Sequence, residues 1–427
     1  MKFPRTTPAA TAAAAAVAFF LTAGCSQSLG GADTSSQNTI KIGFVSAQTG
    51  ALAGFGEADT YVVNQMKKYF AGHPISVGGK NYNVEILLKD AQSTSTRAGQ
   101  VASDLINTNG VDLVMATGTP DVVNPVADQG ESNGTPAITS VAPWQPYFNG
   151  RGGKDGHAFK WTYHFFWGLE DVAKTYQDMW RQVENNKKVA GLFPNDADGK
   201  AWSEAFPGLT KGQGYKITNP GLYTPQSQDF SSQISTFKKS GADILTGVPI
   251  PPDFTTFWKQ ATQQGYQPKL ATIGKALLFP SSVEALGALG DNLGTEVWWT
   301  PTYPFTSSLT GQSAKDLANA YEQTTGKQWT QPLGFSHALF EVAVAAVKKA
   351  GSTDKQAIAN ALKTLKVSTV VGDLDWTSGP VPNVAKTPLA GGQWRKITGG
   401  KYPYDLVIVS NAVDSKIPVA GKVEPLR

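Results

Sequence analysis

Few residues of this chain carry the chemistry of catalysis or of metal binding. The 427 residues include four histidines and one cysteine, Cys25, and no metal-ligand cluster emerges from them. Neither a Gly-x-Ser-x-Gly nucleophile elbow nor a pair of acids on one face of an element is found. The glycine-rich loop at 50–56 lacks the Gly-Lys-Ser/Thr ending of a phosphate-binding loop. The sequence therefore predicts a protein that is not an enzyme and that uses no cofactor.

Aromatic side chains crowd the loops between the elements and are the main candidates for ligand contact. They are Phe55, Trp144, Tyr147, Tyr163, His164, Phe165, Phe166, Trp167, Trp202, Phe254, Trp298 and Trp299. Flat rings suit stacking on a planar ligand, but each ring could equally pack in the core. Alternate residues of a strand at 163–167 face opposite sides, so at most half can line a cleft. Trp144 is the best single candidate, because Pro143 and Pro146 fix it in a loop at the end of a strand.

An N-terminal leader ends at the single cysteine. Lys2 and Arg5 form a basic end, and the alanine-rich apolar run that follows is too short to span a bilayer. The run closes with Leu21-Thr22-Ala23-Gly24-Cys25, which resembles a bacterial lipobox. The resemblance implies cleavage after Gly24 and a diacylglycerol on Cys25. We therefore expect a signal peptide over 1–24 and a lipid anchor on the extracytoplasmic face of the cell membrane, at the cell surface or in the periplasm. The alternative is an ordinary secretory signal with an incidental cysteine.

The stretch 25–38 is poor in apolar groups and is predicted to be a flexible tether. With one cysteine there can be no internal disulfide, so the core alone must hold the fold. The formal net charge is +4, and loss of Lys2 and Arg5 with the leader leaves 35 basic against 33 acidic residues. No basic block of the kind that binds nucleic acid is present.

From residue 39 onward, short β-branched runs alternate with amphipathic stretches. Strands are predicted at 40–45, 82–88 and 111–115, with helices at 58–70 and 96–108 between them. The alternation resumes with strands at 188–193, 215–218, 243–248 and 270–273, with helices at 201–209, 231–240, 254–264 and 281–289, and with later helices at 336–350 and 355–365. This pattern predicts an α/β fold of mainly parallel sheets flanked by helices. Ligand sites are expected in the loops beyond the carboxyl ends of the strands.

Two βα runs in succession predict two similar lobes. We assign 39–161 plus 300–372 to lobe 1, and 162–299 plus 373–427 to lobe 2. The aromatic segments 159–166 and 297–303 are interpreted as strands that cross between them. Two lobes joined by about three crossovers favour a cleft that closes by hinge motion.

The order of several segments resembles the type I extracellular solute-binding proteins of ABC importers, in the branch that contains the leucine/isoleucine/valine-binding protein. The segments are Ile40 to Gly56 (IKIGFVSAQTGALAGFG), Asp90 to Thr94, Gly134 to Ile138, Asp229 to Ile234, Gly334 to Ala346 and Val370 to Trp376. The resemblance implies the two-lobe type I periplasmic binding protein fold. It also implies a small-molecule solute, partnership with an ABC permease and its ATPase, and no catalysis. We expect a monomer.

At the positions where the family binds amino acids, this chain differs. The resemblance implies a serine-rich turn after the third strand, but Gly118-Thr119-Pro120-Asp121 stands there. It implies a second-lobe glutamate for the substrate ammonium, but Gly274-Lys275-Ala276 stands there. A lysine cannot hold an ammonium group, and a buried cation favours an anion. We therefore expect an aromatic or other organic acid as the solute. A receptor for branched-chain or other amino acids or amides, and a ligand-sensing lipoprotein for a membrane sensor, remain the alternatives.

The predicted ligand-binding residues come from both lobes. Most of them belong to loops that follow strands, and the alternative for the loop acids is helix N-capping. The set is Phe55, Thr119, Pro120, Ser140, Ala142, Trp144, Phe166, Trp167, Asp198, Lys200, Pro249, Pro251 and Lys275.

Overall fold

A computed structural model describes residues 38–154 and 158–426. The chain from Asn38 onward forms one compact unit. The predicted signal peptide, Cys25 and nearly all of the predicted tether lie outside the described residues. Among the residues described, no helix combines the length and the apolar character that a bilayer crossing requires.

Seven strands form the first sheet, whose order is β14-β6-β5-β4-β1-β3-β2. All neighbours are parallel except the antiparallel pair β2 and β3. Every residue of β4 and β5 is buried, as expected for parallel strands that helices cover on both faces. The strands are β1 (Thr39–Ser46), β2 (Ile75–Val77), β3 (Lys80–Asp90), β4 (Leu113–Thr117), β5 (Ala137–Ser140), β6 (Thr162–Phe165) and β14 (Val384–Ala385).

The second sheet also has seven strands, in the order β16-β15-β11-β10-β9-β7-β8. Its five earlier strands are parallel, and β15 and β16 extend it in antiparallel fashion from β11. The strands are β7 (Lys188–Leu192), β8 (Lys216–Thr218), β9 (Ile244–Gly247), β10 (Leu270–Ile273), β11 (Gly294–Val297), β15 (Ala390–Lys396) and β16 (Tyr404–Ser410). A small hairpin, β12 (Lys366–Thr369) with β13 (Gly372–Asp375), stands apart.

In the described part of the chain, twelve α-helices flank the two sheets. The sequence pattern predicted most of them, with differences of a few residues at the ends. They are α1 (Asp59–Gly72), α2 (Ser95–Ser103), α3 (Pro120–Ser132), α4 (Trp144–Phe148), α5 (Leu169–Arg181), α6 (Ala197–Lys211), α7 (Ser231–Ser240), α8 (Pro251–Gln263), α9 (Pro280–Glu284), α10 (Ala314–Thr325), α11 (Pro332–Ala350) and α12 (Lys355–Leu362).

The crossings between the lobes differ from the predicted ones. Thr162–Phe165 was assigned to lobe 2, but as β6 it pairs with β5 in the first sheet. The segment 373–385 was also assigned to lobe 2, yet β14 pairs with β6. The chain therefore passes between the sheets just after β6, just after β11 and between β14 and β15. A four-residue strand such as β6 carries no sequence signal of which sheet accepts it, because its pairing partner decides.

Helix α11 forms the centre of the first lobe and is buried around most of its circumference. Its buried polar side chains have partners on other segments. The Ser336 hydroxyl donates to the Asp59 carboxylate, and His337 Nε2 lies 2.7 Å from the Ser307 hydroxyl. The Glu341 carboxylate accepts from the backbone N–H groups of residues 308 and 370. These bonds attach the crossing segment and the β12–β13 hairpin to the core.

The burial of His337 predicts an acid-sensitive contribution to stability. Burial lowers the pKa of this imidazole to about 4, from an ordinary value of 6.5. Between these values the unfolded chain binds the proton more readily, so the contribution is present above about pH 6.5 and is lost as the pH falls towards about 4. We expect the free energy of unfolding of the wild type to fall relative to that of His337→Gln as the pH is lowered from about 6.5 to about 4. Urea unfolding of both proteins measures this difference. A difference that stays constant with pH would contradict the assignment.

Candidate ligand-binding cleft

A small cavity lies where the ends of the two sheets meet. Its volume is about 20 Å³, which is room for about one water and too little for an organic solute. A larger pocket, of about 290 Å³, lies beside Trp258 and Tyr266 and is lined by second-lobe residues alone. Both lobes contribute to the wall of the small cavity, through Phe55, Thr119, Val141, Pro143, Phe166, Trp167, Asp198, Trp202, Val248, Lys275, Leu278, Glu296 and Trp298.

The fold explains why these residues converge. Thr119 follows β4, Val141 follows β5 and Phe166 follows β6, so the first lobe contributes the carboxyl ends of three neighbouring parallel strands. Val248 and Lys275 stand in the same relation to β9 and β10 of the second sheet. Such edges are the usual ligand sites of parallel α/β sheets. The expected location of the cleft therefore agrees with the geometry.

Lys275 is buried, with 4% of its surface exposed, and it is not a free cation. Its Nζ lies 2.7 Å from Asp196 Oδ2 and 2.9 Å from Asp198 Oδ2. Burial opposes its charge, but the two carboxylates outweigh that effect and hold the pKa above its ordinary value. The sequence analysis expected an unpaired lysine that would attract an anion. The structure corrects this, because Asp196 and Asp198 already balance the charge.

Asp198 lies in the first turn of α6 and is almost wholly buried. Burial raises the pKa of its carboxyl to about 7; the charge on Lys275 opposes the rise, and Asp196 adds to it. The neighbouring Asp196 is the N-cap of α6, and its carboxylate accepts from the Gly199 N–H at 2.7 Å. Helix capping and ligand contact were alternative roles for these two acids. In the structure, Asp196 caps α6 and Asp198 lines the cavity.

Glu296, on β11, places a second carboxylate in the cavity wall. It is 2% exposed, and its Oε2 accepts from the Tyr176 hydroxyl and, at 3.5 Å, from the Thr295 hydroxyl. Burial raises the pKa of its carboxyl. The carboxylate lies against Gly274, where a Cβ would approach both oxygens to 3.1 Å. The glycine after β10 thus leaves room for an acid that reaches across from the neighbouring strand.

Five residues of the cavity wall have a buried polar atom without a hydrogen-bond partner in the protein. A buried polar group without a partner costs about 1–3 kcal/mol, so such groups are rare unless a ligand or water serves them. The atoms comprise three indole donors, one hydroxyl and one carboxylate oxygen: Trp167 Nε1, Trp202 Nε1, Trp298 Nε1, Thr119 Oγ1 and Asp198 Oδ1. Their concentration in one cavity marks it as the candidate binding site.

The remaining wall is largely aromatic and locally strained. Phe166 lies 4.7 Å from Trp167 and 5.2 Å from Trp298, measured between ring centroids. Val141 has φ +77° and Lys275 has φ +52°, a region that side chains other than glycine rarely occupy. Such strain is common at ligand sites.

The cavity contains six of the predicted ligand-binding residues: Phe55, Thr119, Phe166, Trp167, Asp198 and Lys275. Other predicted residues lie outside its wall. Trp144, the favoured single candidate, donates its indole N–H to Glu170 at 3.1 Å. Ser140 donates to the Phe165 carbonyl, and the Ala142 carbonyl lies 2.8 Å from His164 Nε2.

The second-lobe prolines and Lys200 were also predicted as ligand contacts. Lys200 is exposed on α6, and Pro251 begins α8. Pro120 likewise begins α3. Pro249 does not line the cavity, but its neighbour Val248 does.

Sequence reasoning missed several wall residues, of which Glu296 matters most. A single acid inside the otherwise apolar run at 293–299 was the available signal, since a charge in a buried strand requires a partner or a function. Val141, Pro143, Val248 and Leu278 carried no comparable signal.

Two contacts hold the lobes together beside the cavity. Phe55 of the first lobe packs edge-on against Phe279 of the second, with centroids 5.0 Å apart. The Asp121 carboxyl, in the first turn of α3, lies near the Ala197 backbone N–H at the start of α6. Burial raises the pKa of the Asp121 carboxyl, and the nearby charge of Lys275 opposes the rise. Helix capping was the alternative for such loop acids; Asp121 lies in the first turn of α3 and close to the N-terminal turn of α6 in the opposite lobe.

Comparisons with known proteins agree with this geometry. The family model for periplasmic binding proteins matches residues 39–400. A Leu/Ile/Val-binding protein homologue from Brucella melitensis is 25% identical over 353 residues, which cover 79% of this chain and 87% of the relative.

Two solved structures share the fold. One is a branched-chain amino acid transporter substrate-binding protein from Streptococcus pneumoniae in complex with isoleucine. It has a TM-score of 0.69 and 18% identity, and the match covers 87% of this chain and 100% of that one. The other is an ABC transporter solute-binding protein from Rhodopseudomonas palustris in complex with 3,4-dihydroxybenzoic acid. Its TM-score is 0.70 at 19% identity, covering 88% and 98% of the two chains. The chain therefore belongs to the periplasmic binding protein family and is similar to a Leu/Ile/Val-binding protein homologue within it.

Proposed function

We propose that this protein captures a small organic solute between its two lobes by hinge closure and delivers it to an ABC permease and its ATPase. The observation that carries the proposal is the interlobe cavity, whose wall holds five unpartnered polar atoms contributed by both lobes. A diacylglycerol on Cys25 would hold the protein, as a monomer, at the outer face of the cell membrane.

The wall favours a solute with a flat apolar body. Five of its residues are aromatic, and rings of this kind stack on planar ligands or enclose apolar ones: Phe55, Phe166, Trp167, Trp202 and Trp298. Solutes of this kind include the expected aromatic acid as well as amino acids with an apolar side chain. The preference for an acid depended on a free Lys275, and the paired lysine supports it less.

Hinge motion explains how a solute could enter a cavity that is this small. At about 20 Å³, the cavity is smaller than any organic solute, so entry requires the lobes to part. The three crossings, after β6, after β11 and between β14 and β15, are the segments about which they would turn. A ligand that contacts both lobes only when they close shifts the balance towards the closed state.

The polar atoms without a hydrogen-bond partner provide the first test of this proposal. A thermal-shift screen of organic acids, amino acids, amides and amines should identify a solute that stabilises the protein. We expect Thr119→Val and Trp202→Phe to weaken binding of that solute by about five- to tenfold each, since each loses a hydrogen bond to it. Calorimetry measures the change.

Trp258→Phe is the matched control for the indole variant. Its indole N–H already donates to the Leu289 carbonyl, 2.9 Å away and outside the cavity, so affinity should be unchanged. Equal affinity in all four proteins would place the binding site elsewhere.

Asp121 tests closure separately from ligand contact. It does not line the cavity, but it joins α3 to α6 across the lobes, so Asp121→Ala should destabilise the closed state. We expect about tenfold weaker solute binding, since a hydrogen bond to a charged group contributes about 1.5–3 kcal/mol. Small-angle X-ray scattering with solute should show a larger radius of gyration than for wild type. Wild-type affinity and compactness in this variant would argue against the Asp121 contact as a latch.

A further inference from the structure

The charges around the cavity are predominantly negative. Three charged residues line it: Lys275, Asp198 and Glu296. The ammonium of Lys275 is taken by Asp198 and by Asp196 just behind the wall. One cation thus faces three carboxylates, and no other cation lies in the wall as described.

Both lining carboxylates keep accepting capacity. Asp198 uses Oδ2 for Lys275, while its buried Oδ1 has no partner. Glu296 accepts at Oε2 from the Tyr176 hydroxyl and, more weakly, from the Thr295 hydroxyl, and an ionised carboxylate has about four acceptor sites. Asp198 shares the Lys275 ammonium with Asp196, and Glu296 forms no ion pair with a described lysine or arginine. Excess negative charge in a closed, low-dielectric cavity is costly until a cation balances it or a proton neutralises it, and burial accordingly raises the pKa of both carboxyls.

The aromatic wall suits a cation as well as a planar ring. Indole and phenyl faces attract ammonium groups, most strongly when water is excluded, and tryptophan is the best of them. Three of the five aromatic wall residues are tryptophans, next to the two carboxylates. Their free indole N–H groups, with the Thr119 hydroxyl, can serve a neutral acceptor such as a ligand hydroxyl or carbonyl.

On the basis of the proposed receptor function, we infer that the solute is a small organic amine that is cationic at neutral pH, held by Asp198 and Glu296 within the aromatic wall. This reverses the charge that the sequence suggested. A ligand carboxylate would add a further negative charge to a cavity whose only lysine is already paired. The amine supplies the missing positive charge and donors for both carboxylates.

A matched series of ligands tests the charge preference. Phenethylamine, phenethyl alcohol, hydrocinnamate and phenylalanine share a similar aromatic body and differ in charge. We expect calorimetry to show phenethylamine binding at least about tenfold more tightly than each of the others, as a charge-assisted hydrogen bond is about twice as strong as a neutral one.

Variants test the two acids. Asp198→Asn and Glu296→Gln keep the shape of each side chain and remove its charge, and each should weaken phenethylamine binding by about tenfold or more. Glu341→Gln is the matched control, because Glu341 is also a buried acid but lies on α11, outside the cavity. Its affinity for phenethylamine should equal that of wild type. Circular dichroism checks that each variant folds, and Gly274→Ala offers a second route by crowding the Glu296 carboxylate.

The outcomes separate this inference from the proposed function. Hydrocinnamate or phenylalanine binding as tightly as phenethylamine would overturn the amine preference and leave the receptor function standing. The same holds if phenethylamine fails to bind while the broader screen finds an anionic or neutral solute. No stabilisation by any solute in that screen would overturn both. Amine binding that both acid variants retain at wild-type strength would remove Asp198 and Glu296 from the site.

Discussion

The ammonium of Lys275 lies between two carboxylates at the point where β10 of the second sheet meets the first turn of α6. A buried lysine without a carboxylate partner would destabilise the fold here, and so would a buried aspartate without a cation, because an unpaired charge away from water is costly. Pairing them fixes the loop after β10 against the start of α6, although Lys275 has a backbone conformation that residues with side chains seldom adopt. The same arrangement leaves Asp198 and Glu296 facing the cavity. Charge balance therefore connects the local fold of the second lobe to the kind of solute that the cleft can accept.

A second charge cluster joins two of the connections between the lobes. Lys386 lies on the crossing between β14 and β15, and its Nζ is 2.9 Å from Glu170 and 2.6 Å from Asp171. Those acids begin α5, directly after the first crossing, and Trp144 and Gln145 of the first lobe donate to Glu170. Two of the three connections are thus tied together near their ends. Such a tie fixes the ends of these two connections relative to each other.

Sequence periodicity predicted the fold well, because alternating β-branched runs and amphipathic helices leave few arrangements other than two parallel sheets. It failed at β6, where four residues in a parallel sheet have no signal of which sheet they join. The position of Lys275 in the cleft was also predicted, but its partners were not. Asp196 and Asp198 lie more than seventy residues earlier, and such long-range pairs are set by packing alone. Trp144 illustrates the same limit: it was predicted in a loop at the cleft, but it begins α4, and its indole N–H donates to Glu170 on a separate helix, outside the cavity wall.

The unpartnered polar atoms explain why closure and binding should be coupled in this protein. In an open cleft, water can satisfy the indole N–H groups, the Thr119 hydroxyl and the Asp198 carboxylate. Closing the cleft removes most of that water, and each group left alone costs about 1–3 kcal/mol. Five such groups impose a penalty larger than the few kcal/mol by which open and closed states usually differ. The contact of Phe55 with Phe279 and the approach of the Asp121 carboxyl to the Ala197 N–H offset part of it. The rest must come from a solute that supplies the missing partners, so the chemistry of the wall selects both the ligand and the closed state.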